Sequence, residues 1–195
     1  MMDSPQSFPA DELYTFEQWL GFTEPVSATV QALIAQIQAQ NPQPELRALA
    51  LAVLALCAPE DKLTAMRAFY RLGCAQYAGE LHLDAQKDWR DDASLQMQCP
   101  GRPARPELIP ATQTPRRSMY TEEGRAVMVH ALAHIEFNAI NLALDAMVRF
   151  ADLADDYYWD WWHVAAEEAY HFSLVRRHLN RLHAEYGDFP AHDGL

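Results

Sequence analysis

Cysteine is scarce in this 195-residue sequence: Cys57, Cys74 and Cys99 are odd in number and show no Cys-x-x-Cys spacing. That pattern excludes a disulfide framework and a thiolate zinc site, and leaves reduced, mostly buried thiols as the expectation. Basic residues are outnumbered, with 15 Lys and Arg against 27 Asp and Glu, and the charge of −12 repels a phosphate backbone. Nucleic acid is not an expected partner. Long hydrophobic runs are missing too. The longest uncharged apolar stretch, Ala48 to Ala58 between Pro44 and Pro59, falls short of the roughly 20 residues that span a bilayer. It reads as a buried helix, and no membrane association is expected. The opening MMDSPQSFPADELYTF carries acids and prolines where an export signal carries a basic start and an apolar stretch. A cytoplasmic location is expected. No Gly-rich phosphate loop, Walker pattern or nucleophile elbow occurs, and no stretch sustains the period-two alternation of a sheet.

What is present is helical periodicity in a chain that is 50% hydrophobic, enough apolar surface for a sizeable core. The fold class read from it is all-α. Residues 1–78 form an N-terminal helical segment with helices expected over Ala10–Leu20, Val26–Gln40, Glu45–Cys57 and Glu60–Tyr77, punctuated by Pro25, Pro42, Pro44 and Pro59. Residues 79–118 form an irregular strap that holds five of the twelve prolines, and its Arg102, Arg105, Arg116 and Arg117 suit either pairing with acidic helices or anion binding. Residues 119–195 hold two long helices, from Glu122, N-capped by Thr121, to Phe150, and from Asp156 to Tyr186, with Gly187 as the expected stop. The few residues between them require an antiparallel hairpin, and the three segments are expected to make one structural domain.

The chemistry lies on this hairpin. Val129, Leu132, Ala133, Ala139, Ile140, Ala143 and Met147 recur by threes and fours with Glu136 among them; Trp161, Val164, Ala165, Phe172, Val175, Leu179 and Leu182 form the facing stripe around Glu168 and His171. Residues level across an antiparallel hairpin are equidistant from its turn, and Glu136 and Glu168 both lie 16 positions from residue 152. Glu168-x-x-His171 places a carboxylate and an imidazole on one face, one turn apart. A Glu on one helix and Glu-x-x-His on the next is half of a di-iron or di-manganese carboxylate site, and buried carboxylates call for such a partner. The bland reading is a hydrogen-bonded Glu and His pair in a wet core. Two further histidines are weaker metal candidates. His134 is nearly level with His171 but points about 200° away from Glu136 at 100° per residue, and His178 lies two turns beyond His171. The cluster Tyr157, Tyr158, Trp159, Trp161 and Trp162 is expected to serve packing or subunit contact, with a redox or substrate role as the alternative.

The runs GRPARPELIPATQTPRRS, EEGRAVMVHALAHIEFNAINLALDAMVRFADL, YYWDWWHVAAEEAYHFSLVRRHL and YGDFPAHDGL, with LALAVLALCAPEDKLTAMRAF before them, resemble an uncharacterised bacterial family of ferritin-like proteins over nearly the whole chain. The resemblance implies a ferritin-like helical bundle with a carboxylate-bridged pair of iron or manganese ions, to which Glu136, Glu168 and His171 correspond; it names no substrate. It also implies further helices after PAHDGL that carry another Glu and another Glu-x-x-His, whereas Glu168 is the one Glu of this sequence followed by His three residues later. Two expectations follow. Either two chains pair their hairpins in a homodimer or other homo-oligomer, or this is a shortened member that binds metal weakly or not at all. The function expected is an oxidase or hydroxylase that uses O2 on a small molecule. The alternatives are a truncated, non-catalytic helical protein whose hairpin serves oligomerisation, and iron storage or detoxification, which would need a large shell.

Overall fold

The computed structural model describes residues 13–22, 26–40, 44–73, 81–89, 99–114 and 117–194. They hold six α-helices: α1 Phe16–Leu20, α2 Ala28–Gln40, α3 Leu46–Leu54, α4 Pro59–Gly73, α5 Glu122–Arg149 and α6 Asp155–Arg181. No strand occurs among them, only isolated bridges, Glu45 with His82 and Leu108 with Ala191. The all-α reading is correct. Cys74, Arg116 and the expected extension of α4 to Tyr77 lie outside the described residues.

α5 and α6 form the predicted antiparallel hairpin, turning through residues 150–154, where Asp152 takes φ 59°. Small side chains let the two backbones approach: Ala133, Ala143, Ala165, Ala166 and Ala169 are all fully buried. Phe137 and Phe172 close the seam at 5.5 Å between ring centroids. α3 packs on α5, and α1 and α4 pack on α6, so the N-terminal helices cover one side of the hairpin. Tyr158 and Trp162 are buried in this core, the packing half of the aromatic expectation. By length and composition alone α5 could cross a membrane; half of its most apolar stretch is buried inside the protein, as in a core helix.

Several boundaries differ from expectation. α1 begins at Phe16 rather than Ala10, because Thr15 and Gln18 make a capping box there. α3 ends at Leu54 rather than Cys57, and Cys57 is consequently exposed instead of buried. α6 stops at Arg181 rather than Tyr186. His183 takes φ 56°, its N–H donates to Asn180 O at 3.0 Å, and Ala184 N–H donates to Leu179 O at 3.3 Å. This is a Schellman ending with a histidine in the left-handed position usually given to glycine. Gly187, at φ +108°, instead shapes the tail, and its N–H donates to His130 Nε2 at 2.9 Å.

Two buried cations close helix C-termini. Arg47 is fully buried; its Nε donates to Met147 O at 2.8 Å and its Nη2 to Val148 O and to the O of Phe150, the residue that follows α5. Its Nη1 donates to Asp84 O and Lys87 O, tying the strap to the same place. Lys62 is also fully buried and donates to Leu54 O, the last residue of α3, and to Asn141 Oδ1 at 2.6 Å; burial holds its ammonium down to about 7. A helix C-terminus presents unpaired carbonyls and partial negative charge, which favour a cation there. The strap arginines that fall in described segments follow the pairing reading where partners are seen: Arg102 with Asp193, and Arg117 with Glu123 in the first turn of α5.

Candidate metal centre

Glu136 projects from the middle of α5, Glu168 and His171 from the middle of α6. One ligand atom from each lies within 4.8 Å of the other two. His171 Nδ1 stands 3.3 Å from Glu168 Oε2 and 4.0 Å from Glu136 Oε2. The equal spacing of the two glutamates from residue 152 does bring them level, since the chain reverses at that residue.

Burial corrects one part of the expectation. The three side chains do not lie within a dry seam. Glu136 and Glu168 are 24% and 23% exposed and His171 is 47% exposed. They line the open edge of the hairpin, on the border between its buried seam and solvent. Burial pushes the Glu136 carboxyl up to about 7 from its ordinary 4.5, helped by the hydrogen bond and the charge of Glu168 and opposed by His171. Two carboxylates sharing a site without a cation force one to hold a proton. The donor set, two carboxylates and one imidazole, suits iron or manganese, and it would leave positions open on a six-coordinate ion.

The weaker histidine candidates are not brought to this cluster. His134 is buried on another face of α5. In the neutral ring that burial favours, Nε2–H donates to Asp193 Oδ1 at 3.1 Å and the Tyr186 hydroxyl donates to Nδ1 at 2.9 Å. Asp193 also pairs with Arg102, so α5, the tail and the strap meet in one network. Beside it lies a cavity of about 250 Å³ lined by Arg102, Pro106, Leu108, His134, Asn138 and Tyr186. His178 is exposed on the last turns of α6. Sequence reading missed Arg47, Lys62 and His130. A cation or imidazole inside an apolar helical stripe was the available signal, but the carbonyl or N–H that each meets comes from a distant segment.

The fold and this cluster define an all-α protein with a carboxylate and imidazole group at the centre of a long helix hairpin. The chain belongs to the family described as "Protein of unknown function (DUF455)", whose profile matches residues 55–195. An uncharacterized protein of Haemophilus influenzae is 51% identical over 100 residues, which make up 48% of this chain and 35% of that relative. The match thus spans about a third of the length of the curated relative. No solved structure matches significantly.

Proposed function

We propose that this chain is a ferritin-like, cytoplasmic metal-binding protein in which Glu136, Glu168 and His171 hold iron or manganese as one half of a two-ion carboxylate site. The observation that carries the reading is the convergence of three donors from two helices to within 4.8 Å. The ligand types agree with it: one Glu facing a Glu-x-x-His is half of the set that helix bundles use for paired ions. A cation held by the two carboxylates would also offset the burial and the Glu168 charge that together raise the Glu136 carboxyl. When bound, iron in such a carboxylate and imidazole site supplies redox chemistry toward O2, which supports an oxidase or hydroxylase acting on a small molecule.

The non-catalytic reading, a hairpin serving subunit contact, is favoured by a separate observation: α5 exposes Met128, Leu132, Ile135 and Leu142 beside the cluster. Elemental analysis of protein purified without chelators separates the two. The metal reading expects iron or manganese in the parent and a loss of most of it in both Glu168→Ala and His171→Ala. Equal metal content in all three proteins ends it.

A further inference from the structure

The strap and the tail enclose space that the metal reading does not use. Between strap residues 102–108, α5 and Tyr186 lies the cavity of about 250 Å³, room for about eight waters at about 30 Å³ each. Asn138 on its wall and Glu136 in the cluster are two positions apart, which at 100° per residue sets them about 200° apart around α5. The cavity therefore lies on another face of the helix from the cluster. Its frame is tied at both ends: Ala191 N–H donates to Glu107 O and Ile109 N–H to Ala191 O, both at 2.9 Å, while Arg102 pairs with Asp193. Walls held this way are in place before a ligand arrives.

The floor of the cavity is apolar and its rim is charged. Phe137 is 2% exposed and Pro106 is buried, and neither Pro103 nor Pro106 brings an N–H to the wall. The buried polar groups are already paired: His134 Nδ1 accepts from the Tyr186 hydroxyl and its Nε2–H donates to Asp193 Oδ1. Water finds few partners on such a floor, which suits an apolar body. At the rim, Arg102 and Glu107 are exposed and opposite in charge. Arg102 gives Nη1 to Asp193 and keeps further N–H donors, and among the described residues no ion pair takes up the Glu107 carboxylate. One cation beside two carboxylates repels a bare organic anion, and a bare amine leaves the remaining Arg102 donors without an acceptor. A ligand that carries both charges meets both.

We propose that this cavity binds a free α-amino acid with an apolar side chain of leucine's size. The side chain lies against Phe137 and Pro106, the α-carboxylate accepts from Arg102, and the α-ammonium donates to Glu107. Burial of the apolar body supplies affinity, and the two charge-assisted contacts set its orientation. The site is separate from the metal cluster and does not rest on the metal reading.

Isothermal titration calorimetry of the whole chain with L-leucine, glycine, isocaproate and isoamylamine tests it. The expected result is saturable binding of L-leucine at one molecule per chain. Glycine lacks the apolar body, isocaproate the ammonium and isoamylamine the carboxylate, and each should bind at least about tenfold more weakly. Glu107→Gln changes a side chain that is already exposed, so the fold survives. It should weaken L-leucine at least about tenfold and narrow the gap between L-leucine and isocaproate, because the carboxylate that repels the anion is gone. Arg102→Gln should weaken L-leucine to the same degree and leave isoamylamine unchanged. No saturable binding of L-leucine up to millimolar concentration overturns the inference. Binding that glycine or isoamylamine equals, or that both variants leave unchanged, overturns it as well.

Discussion

His171 Nδ1 stands 4.0 Å from Glu136 Oε2, across the seam between α5 and α6. Neither residue is near the other in sequence, and no hydrogen bond holds them at that distance. The gap is one that a shared ion can fill.

Glu136→Gln separates an ion ligand from an uncomfortable carboxylate. The change keeps the volume and removes the charge. In metal-free protein the raised Glu136 carboxyl contributes stability that is full below pH 4.5 and lost as pH rises through about 7. The variant should therefore melt at the same temperature or higher near neutral pH, and its stability should depend less on pH in that window. Added manganous ion should raise the melting point of the parent more than that of the variant. A hundredfold loss of affinity would remove about 2.7 kcal/mol of ligand stabilisation at saturating metal. Thermal melts of both proteins check this, and an identical metal-induced rise removes Glu136 from the ligand set.

His130 should make the fold acid-sensitive. It is 1% exposed, and its Nε2 accepts the Gly187 N–H, which requires an unprotonated nitrogen. Burial, with the neighbouring His134, lowers it from 6.5 to about 4, while Asp188 works the other way. A lowered histidine contributes stability that is present above pH 6.5 and lost as pH falls through about 4. His130→Gln keeps an acceptor and cannot titrate there. Denaturant midpoints between pH 7 and 4 should fall more steeply for the parent than for the variant.

Replacing Arg47 should destabilise the protein far more than its place in an apolar helical run suggests. Arg47→Met leaves the carbonyls of Met147, Val148 and Lys87 without their donor. At about 1–3 kcal/mol for each buried orphan group, the loss is at least about 3 kcal/mol. That corresponds to a fall in melting temperature of about 6–12 °C for a chain of this size. Arg47→Lys should rescue little, since one ammonium cannot reach both the helix end and the strap. Calorimetry of the two variants decides it.

His134 should matter for stability and not for metal. Tyr186→Phe removes the hydroxyl that donates to His134 Nδ1 and should cost about 1–2 kcal/mol. Bound manganese should not change in Tyr186→Phe or in His134→Ala. A loss of metal in His134→Ala that exceeds its loss of folded protein would return His134 to the site.

The sequence by itself determined the all-α class, the long helix hairpin and the level of the site. Thr121 caps α5 as its chemistry requires, its Oγ1 accepting from Gly124 N–H at 3.0 Å. The hairpin and the convergence of Glu136 with Glu168 follow from local spacing around residue 152, and local spacing is what periodicity encodes. Tertiary structure decided what lies against each face. Whether Glu136 is deep in the seam or at its edge depends on which side α3 and α4 cover, and the apolar stripe reads the same in either case. The end of α6 turned on His183 accepting a left-handed backbone, which let the tail fold back so that Gly187 meets His130 and Asp193 meets His134. Arg47 makes the same point at greater range. Its partner Met147 is one hundred residues away, and a buried charge announces only that it needs a partner, never which carbonyls the fold will bring.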